Sequence, residues 1–196
     1  MKNKIIPFVI LLLTLGSCTE GFEKVDGKWA YISYDEGAGK RVTPIENVDN
    51  ATFEVMPDKQ YGKDKNTAFI NAVKIEHSDS KTFSVIGQNY SKDKNHVYFE
   101  YSIVINADPK TFKILNFPYS RDSKTVFCGT LPMKVSDIES FKVTEPSTSI
   151  STTLTSEFIK QEPEYSWIDP IKYENVVYSN GKAESKNEKF EGFKKK

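Results

Sequence analysis

Two thiols and two imidazoles bound the nucleophilic chemistry available to these 196 residues. Cys128 follows Phe127 in a run that reads as a strand. To act as a nucleophile it would need a neighbouring base, and only His77 and His96 exist. A small buried or half-buried thiol fits that context better. The histidines are not spaced as a metal pair on a helix or a strand, and His96 reads as an exposed turn residue. Asp64/Asn66 and Asp93/Asn95 have the Asp-x-Asn spacing of calcium loops. The twelfth position counted from Asp93 is Val104, where such a loop needs glutamate, so turn geometry accounts for these residues better than an ion shared between turns. Asp79, Asp108 and Asp137 recur and invite a carboxylate-pair reading, but each precedes a turn whose free amides it could cap. No glycine-rich phosphate loop, nucleophile elbow or HExxH pattern occurs. The expectation is therefore a chain with no catalytic, cofactor-binding or metal-binding residues. Tyr61, Tyr90 and Tyr119 remain: they could form a ladder that stacks on sugars, although a role in the core is the favoured reading.

Cys18 carries a different chemistry. Lys2 and Lys4 precede the apolar run Ile5 to Leu15, followed by Leu15-Gly16-Ser17-Cys18. Small residues let a chain lie extended in a peptidase site, and the thiol can take a diacylglyceryl group. The arrangement resembles the bacterial lipoprotein signal, which implies cleavage before Cys18 and acylation of that residue. The apolar run spans about 11 residues, against the roughly 20 that a transmembrane helix requires. Residues 1–17 are thus expected to be a signal peptide, with the mature chain lipid-anchored (palmitate among its acyl groups) in a bacterial envelope. The outer membrane or the cell surface is the expected location.

Once Lys2 and Lys4 are removed, 25 basic residues face 27 acidic ones, a balance that argues against nucleic acid as a partner. Only Arg41 and Arg121 are arginines, whereas phosphate-reading surfaces use more. With Cys18 committed to lipid, Cys128 has no partner for a disulfide.

Two motifs recur in register. Asp79-Ser80-Lys81-Thr82-Phe83 returns as Asp108-Pro109-Lys110-Thr111-Phe112 and as Asp137-Ile138-Glu139-Ser140-Phe141, with a weaker copy from Asp49 to Phe53. Tyr90-Ser91-Lys92-Asp93-Lys94-Asn95-His96-Val97-Tyr98 has counterparts starting at Tyr61 and Tyr119, 29 residues away on either side. Asp26 to Tyr31 is a partial early copy, and Tyr173 to Tyr178 a doubtful late one. These residues resemble the DKNYY family of bacterial proteins; Asp93 to Tyr98 is the closest copy, and Lys124 replaces the asparagine in the third. The resemblance covers about Ala51 to Val143 and implies no catalytic residues.

Physically, Asp-Lys-Asn is turn chemistry and Val97-Tyr98-Phe99 has strand propensity. Ser102 to Ile105 reads as a second strand, and Asp108-Pro109 as a helix start whose Phe112 and Leu115 face one core. No such unit buries its own rings, so the expected fold is mainly β: stacked ~29-residue units, each a hairpin with a short helical turn. An irregular β-sandwich is the alternative. The expected divisions are 18–48 as anchor and partial repeat, with Asp35 to Arg41 as a loop or cap; 49–143 as the repeats; 144–178 as a linker or cap; and 179–196 as a disordered charged tail. Within 144–156, linker and edge strand are equally supported by the alternation of Ile150, Thr152 and Leu154.

The functional expectation is a non-enzymatic interaction module anchored through its lipid and presenting a surface to an unidentified protein or glycan. The alternatives are an immunity-type or inhibitor lipoprotein that neutralises a toxin, a carbohydrate-binding surface protein and, less favoured, an enzyme built on Cys128 or scattered acids.

Overall fold

The computed structural model describes residues 20–196. It is mainly β, with 42% strand and 6% helix, arranged as several small antiparallel sheets and no closed barrel. The N-terminal sheet contains β1 (Gly21–Val25), β2 (Lys28–Asp35) and β3 (Gly39–Pro44) in that order. Asp26 and Gly27 join β1 to β2 with φ of 50° and 78°, a turn whose twist matches the strands it joins. The segment expected as a loop between Asp35 and Arg41 is mostly strand, because β2 and β3 pair up to Asp35↔Gly39.

Three repeat sheets follow, each a four-stranded meander. The first contains β4 (Glu54–Val55), β5 (Tyr61–Lys63), β6 (Ala68–Ile70) and β7 (Val73–Ile75). The second contains β8 (Ser84–Gly87), β9 (Tyr90–Lys92), β10 (Val97–Phe99) and β11 (Ser102–Ile103). The third contains β12 (Lys113–Ile114), β13 (Tyr119–Arg121), β14 (Val126–Cys128) and β15 (Leu131–Met133). A fourth repeat opens with β16 (Lys142–Glu145) and is then interrupted by β17 (Ser151–Leu154), α1 (Thr155–Gln161) and β18 (Asn175–Tyr178). It closes with β19 (Lys182–Ser185), β20 (Glu188–Glu191) and β21 (Lys194–Lys195), in the order β16-β19-β20-β21.

A buried carboxylate ties the two sequence motifs together within each repeat. Asp93 is 4% exposed; its Oδ1 accepts the amides of Asn95 at 2.7 Å and His96 at 2.8 Å. Its Oδ2 accepts the amide of Asp79 at 2.7 Å and the Tyr98 hydroxyl at 2.8 Å. Asp64 and Asp122 do the same: each holds two amides of its own turn and the amide of Asp49 or Asp108. The clasp is reciprocal. The hydroxyls of Thr52, Thr82 and Thr111 accept the amides of Lys65, Lys94 and Ser123. Lys94 also pairs with Asp79 at 2.8 Å, which, with the Thr82 hydroxyl, holds the Asp79 carboxyl down at about 2. The aspartates of the calcium-like spacing are thus engaged by backbone amides, with the Tyr98 hydroxyl in addition at Asp93.

This clasp also corrects the expected helical turn. Phe112 and Thr111 donate to the Asp108 carbonyl through a single turn, after which Lys113 and Ile114 pair with Arg121 and Ser120 as a strand. Phe112 and Leu115 consequently face different clusters: Phe112 meets Tyr90, and Leu115 joins the group around Tyr119 and Phe141.

Rings close each seam between neighbours. Phe53 lies 5.2 Å from Phe22 and 5.8 Å from Phe69, and Phe83 lies 6.2 Å from Tyr61 and 6.1 Å from Tyr98. Phe112 sits between Tyr90 and Phe127, and Phe141 between Tyr119 and Phe190. Each phenylalanine therefore bridges a ring of the preceding unit and a ring of its own, as a stacked array requires. Burial of one such ring stabilises by about 2–3 kcal/mol, with about 1 kcal/mol more from ring geometry. A basic side chain fastens the same seam: Lys63, Lys92 and Arg121 donate to the carbonyls of Ser80, Pro109 and Ile138, each 17 residues ahead.

The tail expected to be disordered is instead the second half of the fourth repeat. Most of its charges lie on the solvent side of strands whose other side buries Ala183, Ser185, Glu188 and Phe190. Val143↔Ala183 reproduces the pairing Val85↔Ser91. Ser185-Lys186-Asn187-Glu188-Lys189-Phe190 is therefore a further copy of Asp93 to Tyr98. Ser185 stands where the clasp aspartate belongs, and Glu188 takes its place. The Glu188 carboxylate accepts the Ser136 amide at 2.8 Å and the Ser185 hydroxyl at 2.9 Å; Lys195 is the main cause of its depression to about 2.

Two predictions follow from the clasp. Asp93→Ala strands three amides and a phenol, and is expected to cost about 3 kcal/mol or more in urea unfolding. Lys94→Ala, which removes an exposed ion pair, should cost far less. His96 is half-buried beside Tyr98, not exposed as expected, and burial is the main factor lowering its pKa from the ordinary 6.5. An imidazole harder to protonate when folded weakens the native state as pH falls through 6.5. His96→Thr, which copies Thr67 and Thr125, should remove that part of the pH dependence, read as parallel unfolding curves above pH 7 that diverge below 6.5.

Candidate functional site

Cys18 lies outside the described residues. Tyr61, Tyr90 and Tyr119 start the central strands of their sheets and point into the seams, where they are 1%, 0% and 0% exposed. Desolvation holds all three phenols well above their ordinary range. Rings enclosed in this way cannot stack on a sugar, so the ladder is core and the ligand-facing reading of these tyrosines is corrected. Cys128 is fully buried in β14, its Sγ 3.5 Å from the Ser179 carbonyl, and burial pushes the thiol up to about 12. It holds no thiolate at neutral pH and cannot act as the nucleophile considered above. His77 is exposed and lies close enough to His96 to oppose its protonation. Among the described residues, no group of three or more His, Cys, Asp or Glu side chains could hold a metal ion.

The segment 146–181, inserted into the fourth repeat, combines a buried inner side with four exposed large apolar side chains. Inwardly, Phe158, Tyr165, Ile168, Tyr173 and Val176 join a single cluster with Tyr61, Ile75, Tyr98 and Leu131 of the first three repeats. Polar contacts set its position. The Thr130 amide donates to the Val177 carbonyl, and the Val177 amide donates to Thr130 Oγ1, both at 2.8 Å. The Tyr173 hydroxyl lies 3.0 Å from Asn106 Oδ1 and donates to it, and Tyr165 donates to the Pro132 carbonyl. Gly129 permits this approach: it has φ of 61°, and a Cβ there would come within 2.1 Å of the Val177 oxygen.

Outwardly, Ile150, Leu154, Trp167 and Ile171 are 44%, 51%, 53% and 92% exposed. The strand reading of 151–154 holds, since β17 pairs with β18, but its apolar residues face solvent rather than a core. Trp167, expected within a capping segment, borders a groove of about 240 Å³ with Asn106, Pro132, Lys134 and Glu164. Ile171 borders a second groove, of about 440 Å³, with Val73, His77, Tyr101 and Lys172. Lysines and glutamates of both signs line these grooves, so neither concentrates one charge. Titratable side chains border both grooves, with Glu76, His77 and Glu174 in the second and Glu164 in the first. Of these four, Ile150 and Leu154 are marked in the sequence by their alternation, whereas residue type alone would place Ile171 in a core.

The chain was compared with known proteins on this basis. No curated protein and no solved structure matches it. The model of the DKNYY family matches residues 28–161 and, in an overlapping second alignment, 90–195. The second match extends over the displaced half of the fourth repeat. Together the matches span nearly all described residues, and the chain is a repeat protein belonging to the DKNYY family.

Proposed function

We propose that this chain is an envelope lipoprotein, anchored through Cys18, whose repeat array is a non-enzymatic scaffold that presents the inserted segment to a protein partner. The observation that carries this reading is the exposure of four large apolar side chains on one inserted segment whose inner side is fixed by the array. Large aromatic and aliphatic side chains beside a groove are the usual anchors of protein interfaces, and a rigid support lowers the entropic cost of using them. The anchor supplies location: a lipid on Cys18 would confine the surface to the membrane plane and raise its effective concentration toward other envelope proteins. Among the described residues no helix is long and apolar enough to cross a membrane.

Photo-crosslinking in the native envelope tests this. A benzophenone side chain at position 171 should give discrete protein adducts, and one at Lys81, on an exposed repeat turn, should not. Trp167→Ala should lower adduct yield about tenfold, as loss of a central aromatic anchor does. Equal yields from positions 171 and 81 would remove the proposal.

A further inference from the structure

The described chain begins already attached to the fold. The Tyr34 amide donates to Glu20 Oε1 at 3.2 Å, and Gly21 pairs with Ile32 at the start of β1. Gly21 also packs on Lys59: a Cβ there would lie 3.5 Å from that side chain. Only Thr19 separates Glu20 from Cys18. Two residue steps span at most about 7 Å when fully extended. An acylated Cys18 would lie at the headgroup level, which would hold the backbone of Glu20 within about 7 Å of the membrane surface.

The β2–β3 hairpin occupies that end of the sheet. Ile32 is opposite Gly21 on one side and Val42 on the other, and the hairpin continues beyond this row through Ser33↔Arg41, Tyr34↔Lys40 and Asp35↔Gly39. Three further residues of strand add about 10 Å, similar to the reach of the chain from Gly21 back to Cys18. Residues 34 to 44 are all exposed, including Tyr34 at 38% and Val42 at 43%. Lys40 pairs with Glu23 and Arg41 with Asp35, so the hairpin is close to neutral and brings no strong electrostatic attraction of its own.

We propose that the β2–β3 hairpin lies against the lipid headgroups, held there by a tether too short to form a stalk, so that the N-terminal sheet is the membrane-docking face of the array. The proposal rests on the reading of Cys18 as the lipidated residue. Contact follows from covalent length, and Tyr34 is the type of amphipathic side chain that sits well at an interface. Because charge plays little part, the contact should persist in high salt.

The test uses the full-length acylated protein with Ala38→Cys, labelled with a fluorophore at the hairpin tip. Cys128 is buried and Cys18 acylated, so the new thiol is the one that reacts. The protein is placed in vesicles of phosphatidylethanolamine and phosphatidylglycerol, with and without a headgroup-nitroxide lipid. The expected result is loss of fluorescence in the nitroxide vesicles, unchanged by molar salt. A flexible spacer of about ten residues inserted after Thr19, with a root-mean-square length of about 17 Å, should restore it. Undiminished fluorescence in the native-length chain overturns the proposal, as does quenching that the spacer leaves intact. The mass of the N-terminal peptide separates the two levels. An unmodified Cys18 removes the anchor reading itself, whereas an acylated Cys18 without quenching removes only the hairpin contact.

Discussion

A carboxylate sealed from water, with amides from two separate turns directed at it, is the constraint on which this architecture rests. Asp64, Asp93 and Asp122 each connect the turn that follows their own strand to a turn about 14 residues earlier. Removal of a charged oxygen from solvent is tolerated only when donors surround it, and here the backbone supplies nearly all of them. The bond fixes the spacing between the two motifs, and that spacing keeps them at one common period. The fourth repeat supports this reading. Where serine replaces the aspartate, Glu188 reaches the same region from three residues further on and accepts one backbone amide, two serine hydroxyls and the Lys195 ammonium.

Given fixed turns, the rings have one place to go. Each unit is too thin to enclose a core, so its phenylalanine crosses to the preceding unit while its tyrosine waits for the next. The core is a row of seams rather than a single interior volume: Phe22 meets Phe53 at the first, and the pairs Tyr61 and Phe83, Tyr90 and Phe112, Tyr119 and Phe141 repeat one arrangement at the other three. Lys63, Lys92 and Arg121 add one charge-assisted bond at each of the last three seams while keeping their ends near solvent.

Much of this was legible in the sequence because it repeats. The register of the motifs, the step between phenylalanines and the burial of the tyrosines all follow from units that cannot stand alone. The errors have local causes. Lys110 to Leu115 has helical spacing and a helix-start signal at Asp108-Pro109, but the amides of that turn go to carboxylates and its continuation pairs as a strand. Residues 182–195 are so rich in lysine and glutamate that their alternation is hidden; most of the charges face solvent, while Glu188 is buried with Ala183, Ser185 and Phe190. The fourth copy is not legible as a repeat because the step from Phe141 to Ser185 is 44 residues, where the other copies have 10 or 11. The candidate surface was the least legible part, because exposure of Ile171 depends on how an irregular segment drapes over three sheets, and residue type carries no trace of that.

That draping has a mechanical consequence. A stack whose members touch only their neighbours unravels from its ends, one member at a time. Here a single strap grips the first three repeats at once through Phe158, Tyr165, Ile168 and Tyr173, and its own two ends are clamped where Glu145 meets Lys182. Peeling any one repeat away means lifting the strap from the others. The molecule should behave under load as one rigid body rather than as a row of separable beads.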